Sequence, residues 1–121
     1  MKQKRLPVFF LIIFILGLAI ACVNLNDIVI TSPDLNKIPD GTYQGTSTVG
    51  PVKVTLEVLM QNKAITSIQI IKHRNGRGKK AEAIVPRIIE AQSLNVDVIS
   101  GASYSSKAIL LAAENALAGK Q

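Results

Sequence analysis

The chain has 121 residues, a formal charge of +6, one cysteine, one histidine and no tryptophan. One cysteine excludes an internal disulfide and a cysteine-based metal cluster, and the lone His73 argues against a metal site, so any redox chemistry needs a bound cofactor. With 4% aromatic residues and no recognition motif, nucleic-acid binding has little support.

Lys2, Lys4 and Arg5 precede an uncharged apolar stretch over residues 6–23. Basic residues followed by such a stretch direct export or membrane insertion, with the positive end kept inside. Its length is close to the roughly 18-residue lower bound for a spanning helix. Ala19-Ile20-Ala21 precedes Cys22, so three fates are open: an uncleaved anchor, a cleaved signal peptide, or a lipoprotein processed at Cys22. A bacterial lipobox usually has Leu where Ala19 stands. Each fate puts the rest of the chain on the extracytoplasmic side of the cell membrane. The three cations before the stretch leave about +3 for that exported part.

Residues 24–39 read as a polar linker with turn signals at Ser32-Pro33-Asp34 and Pro39-Asp40-Gly41. The domain then occupies 40–121. Residues 41–48 predict a first strand, with Gly45 marking a bulge or a close backbone approach. Val49-Gly50-Pro51 breaks it. In the second strand Val52, Val54, Leu56, Val58 and Met60 alternate with Lys53, Thr55, Glu57, Leu59 and Gln61, leaving one face almost purely apolar. Asn62-Lys63 makes the next turn. Residues 64–72 return, with Ile68 and Ile70 expected on one face and Ile65 and Ile71 on the other.

Residues 73–80 form a basic, glycine-punctuated loop. Residues 81–92 have helical spacing, and Pro86 predicts a bend or two short helices meeting at Val85. A short strand is expected over 96–99 and a second helix over 104–118, with Gly119 as its stop. The result is a small α+β domain: an antiparallel meander with two helices packed on it, behind an N-terminal anchor helix.

Asp97-Val98-Ile99-Ser100-Gly101-Ala102-Ser103 sets small and hydroxylated residues ahead of the last helix. The first N–H groups of a helix lack internal partners, and its dipole is positive there, so a phosphate is well placed. Gly101 and Ala102 permit close approach, and Ser100, Ser103, Ser105 and Ser106 offer hydroxyls. An ordinary helix cap explains the same residues.

This segment resembles the flavinylation motif of the FMN-binding domain family: Asp, two variable residues, Ser or Thr, Gly-Ala, then Thr or Ser. The likeness extends from Asp40-Gly41-Thr42-Tyr43, through the meander, to Glu90-Ala91-Gln92-Ser93 and Ser105-Ser106-Lys107-Ala108. The family includes membrane-anchored electron carriers and the peripheral FMN subunits of sodium-pumping and related electron-transport complexes. The resemblance implies that Ser103 accepts FMN through a phosphodiester bond, made by a flavin transferase from FAD with magnesium. Ser100, Gly101 and Ala102 then shape the approach to the phosphate, and Asp97 opens the motif. Thr is the commoner acceptor; Ser103 has the same nucleophilic oxygen without the methyl group.

The basic loop suits either a flavin phosphate and an acidic redox partner or plain solvent. The resemblance sets it near the flavin, with Gly76 and Gly78 admitting the ring. Tyr104 either touches the flavin or packs on the sheet. Taken together, these readings lead to an anchored FMN electron carrier that needs a membrane redox partner, rather than a complete enzyme. Two alternatives are a reversible FMN-binding module and a small reductase component. No metal site and no catalytic residue are assigned.

Overall fold

The computed structural model describes residues 28–74 and 78–118. Three strands, β1 (Gly41–Val49), β2 (Val52–Gln61) and β3 (Ala64–Arg74), form an antiparallel meander in that order. At the first turn Gly50 takes a φ of 57° while the Pro51 ring holds φ negative, the sign pattern of a type II′ hairpin. At the second, Asn62 and Lys63 have φ of 53° and 63°, as a type I′ hairpin requires. The apolar alternation of β2 holds: Val52, Val54, Leu56, Val58 and Met60 are all buried. Each such side chain contributes on the order of 1.5–3 kcal/mol against exposure.

Strict alternation fails on β3. The pairing runs Met60↔Ile65, Val58↔Ile68, Leu56↔Ile70 and Val54↔His73, with register shifts that leave Thr66 and Ile71 unpaired. Each bulge reverses the parity of the strand. Ile65 therefore joins Ile68 and Ile70 on the core side instead of lying opposite them, and Ile71 is exposed. The second bulge also turns His73 inward, where unbroken alternation would put Lys72.

Three helices follow: α1 (Gly78–Glu82), α2 (Ile84–Ala91) and α3 (Ser103–Leu117). The predicted bend is a full break at Ala83, two residues before the expected junction at Val85. The ring of a helical proline clashes with the carbonyl four residues back, which here is Glu82, the last residue of α1. In the first turn of α2, the missing N–H of Pro86 costs nothing. The chain leaves α2 through Gln92, which has a left-handed φ of 49°. Its side-chain amide accepts from Ile65 N at 2.7 Å and donates to Ile65 O at 2.8 Å, closing part of the β3 edge.

The expected strand at 96–99 does not form. The Ile99 N–H goes to a side chain of α3 rather than to a ladder. Helix α3 packs on β1 and β2 through small residues. A Cβ on Gly45 would come within 2.0 Å of the Ala112 carbonyl oxygen, so only glycine admits this contact. The Ser47 hydroxyl donates to Ala108 O, and Asn115 Nδ2 donates to Thr46 O at 2.9 Å.

Residues 28–39, the described part of the expected linker, lie on the domain. Ile38 is buried, Thr31 N donates to Glu114 Oε2 at 3.0 Å, and Leu94 N donates to Ser32 Oγ at 3.1 Å. The α+β class holds, with the long first helix divided in two. Among the described residues no helix is long and apolar enough to cross a membrane. The expected anchor over 1–23, Cys22 and Gly119 lie outside the described residues.

Candidate functional site

The candidate site is the turn that feeds α3. Ala102 N donates to Ile99 O at 3.0 Å, and Gly101 has a φ of 79°, the value of the third position of a type II turn. Ala102 is the N-cap and makes no side-chain cap hydrogen bond. Ser103 is thus the first helical residue, half-buried, at the positive end of a 15-residue helix. Ser100, Gly101 and Asp97 are exposed around it. The Asp97 carbonyl lies 3.5 Å from Arg87 Nη1, at the outer limit of a hydrogen bond.

Ser105 and Ser106, expected to offer hydroxyls to a ligand, are buried. The Ser106 hydroxyl is committed on both sides: it accepts from Ile99 N at 3.0 Å and donates to Ala102 O at 2.7 Å. It therefore braces the turn from within. The signal for this is in the sequence, since Ser106 follows Ala102 by four residues, the spacing at which a helical serine bonds back to a carbonyl.

Of the two readings of Tyr104, the structure shows the packing one, at the turn between β1 and β2. Its ring lies over Gly50, where a Cβ would be 3.2 Å from Tyr104 Cε1, yet it remains 40% exposed. The close packing of Gly50 under this ring carries no sequence signal. Gly78 is the first residue of α1, and Gly76 lies outside the described residues.

The basic run does not stay together. Lys72 and Arg74 line a shallow groove with Lys53, Gln44, Thr46 and Thr55 on the sheet face away from the core. Lys79 and Lys80 belong to α1 instead. Lys80 reaches the candidate turn: its ammonium is 2.8 Å from where a Cβ on Gly101 would stand. His73, between these groups, has a side chain only 5% exposed, with Nδ1 4.0 Å from Glu82 Oε1 and no hydrogen-bond partner for either ring nitrogen. Among the described residues no group of three His, Cys, Asp or Glu is placed to hold a metal ion.

An uncapped helix start, a glycine cradle that a Cβ would fill, a cation above it and a hydroxyl at the first helical position together suit a phosphorylated ligand. Such a small α+β domain with a phosphate-ready helix start defines a ligand-carrying module. Residues 48–118 match the FMN-binding domain family, and the chain belongs to that family. It is a flavoprotein with FMN as its cofactor. The match covers β2, β3 and all three helices, together with the candidate turn. No curated protein matches the chain.

Proposed function

We propose that this chain is an extracytoplasmic electron carrier, anchored to the cell membrane by its N-terminus, with FMN joined through its phosphate to Ser103. The observation that carries the reading is the position of Ser103. Its hydroxyl belongs to the first residue of α3, two residues after a glycine held at positive φ. FMN, when bound, accepts and passes electrons, and the protein sets its place and potential.

In the attachment step the Ser103 oxygen attacks the FMN phosphorus of FAD. The new O–P bond forms, the P–O bond to AMP breaks, AMP leaves, and the hydroxyl proton passes to base or water. No electrons are transferred in this step. A flavin transferase with magnesium is the partner for it, and the exposed Asp97 is a suitable contact for that enzyme's metal. A membrane redox partner and the lipid around the anchor complete the setting. The positive-inside pattern of Lys2, Lys4 and Arg5 supports the extracytoplasmic placement.

A denaturing gel of the full chain made with the transferase tests the linkage. Yellow flavin fluorescence should stay with the polypeptide and vanish in Ser103→Ala. A fluorescent Ser103→Ala band overturns the assignment, and a native yellow protein that loses all flavin on denaturation favours reversible binding.

A further inference from the structure

We propose that Lys80 is a phosphate-binding residue of the flavin site. The proposal rests on the reading of Ser103 as the attachment point and adds a residue to it. Helix α1 is held by Ala81, which is fully buried, so the neighbouring Lys80 has a fixed root and an exposed stem. Its ammonium does not extend away from the protein. It lies over Gly101, 2.8 Å from the position a Cβ would take. Among the described residues no acidic side chain pairs with it there.

A lysine chain has many ways to leave its charge in water, and each ordered geometry costs rotamer freedom. The charge at rest here lies beside the turn that leads into Ser103. The positive end of α3 lies on the same turn. Two independent sources of positive potential thus meet at the turn that leads into Ser103. A phosphodiester retains one negative charge, and negative charge builds on the phosphate oxygens as the Ser103 oxygen adds. A cation placed there in advance stabilises both. The missing side chain at Gly101 is what allows the ammonium this close.

The test uses the full chain in detergent, loaded by flavin transferase with FAD and magnesium. Loading is followed by intact mass, and the loaded chain by 31P NMR. Lys80→Gln should load about tenfold more slowly or worse, as loss of a charged hydrogen bond implies. Lys80→Arg should stay close to the parent. The 31P signal should move in loaded Lys80→Gln and stay in place in loaded Lys79→Gln, which removes the same charge one residue away. An unchanged rate and signal in Lys80→Gln overturns the proposal. A slow rate with an unmoved signal also overturns it, because the lysine then serves the transferase. Equal effects from Lys79→Gln reduce it to bulk charge. A parent chain that gains no mass overturns the Ser103 linkage. In that case free FMN added to the chain gives a phosphate signal, and its response to Lys80→Gln decides the role of the lysine separately.

Discussion

The hydroxyl of Ser106 accepts the Ile99 N–H at 3.0 Å, a bond from inside α3 back to the segment that leads into it. The same hydroxyl donates to Ala102 O, so one side chain ties both ends of the turn on which Ser103 depends. Ser106→Ala leaves a buried N–H without its partner and should cost about 1–3 kcal/mol. Urea unfolding measures that loss. Flavin loading, on the proposed linkage to Ser103, should fall as well, since the turn loses its brace while the Ser103 oxygen remains.

Gly101→Ala separates site geometry from global stability. The φ of 79° disfavours any Cβ, at a cost of about 1–2 kcal/mol. The added methyl would also meet the Lys80 ammonium, the far end of a flexible side chain that can swing away. The domain should therefore fold, with a modest shift in urea midpoint, while loading with FMN drops sharply. A fully loaded Gly101→Ala chain would show that the cradle is not needed.

Gly45→Ala should be far worse for the fold. The obstacle is the backbone of α3, the Ala112 carbonyl oxygen at 2.0 Å and the Ala116 nitrogen at 2.6 Å from the added Cβ, and neither is a flexible tip. Helix α3 would have to lift from β1, at a cost of at least about 3 kcal/mol. Thermal unfolding should show a fall of more than 10 °C, on the order of 4–8 °C per kcal/mol for a domain of this size.

Much of this was legible in the residues. The β2 alternation, the Asn62-Lys63 turn and the last helix follow from period and turn chemistry, and the start of α3 differs by one residue. Gly45 carried its own message, since a glycine inside a strand signals close approach. Residues 64–74 were not readable by period, because two bulges reset the faces and nothing in Ile65, Thr66 or Ile71 announces them. The break at Ala83 is fixed by a clash four residues before Pro86, a distance easily misplaced. The run of small residues before the last helix is a turn, with Gly101 at positive φ, Ala102 as N-cap and Ser103 opening α3. Ser106 was misassigned because a hydroxyl's type does not reveal which way it is spent. The meeting of Lys80 with Gly101 joins positions 21 apart in sequence, and only the packing of α1 brings them together.

The Gln92 amide offers a local probe of the β3 edge. Gln92→Ala removes both bonds to Ile65 and a third to Ile89 O. Hydrogen exchange at the Ile65 amide should quicken by roughly tenfold, in step with about 1–2 kcal/mol of local stability. Amides in the centre of β2 should change less.

His73→Leu should leave stability unchanged or raise it by up to about 1 kcal/mol. The two ring nitrogens are buried without hydrogen-bond partners, and an apolar side chain removes that penalty. Urea unfolding at neutral pH checks it. A loss of more than about 2 kcal/mol would mean that the contact with Glu82 carries more than its 4.0 Å separation suggests.

The proposed linkage of FMN to Ser103 is read from the mass of the intact protein purified from its native cells, followed by fragmentation across residues 97–106. A gain of one FMN less one water, carried on Ser103, is expected, and the same measurement shows whether residues 1–21 remain. A chain of unmodified mass, or a flavin carried on any residue other than Ser103, would contradict it.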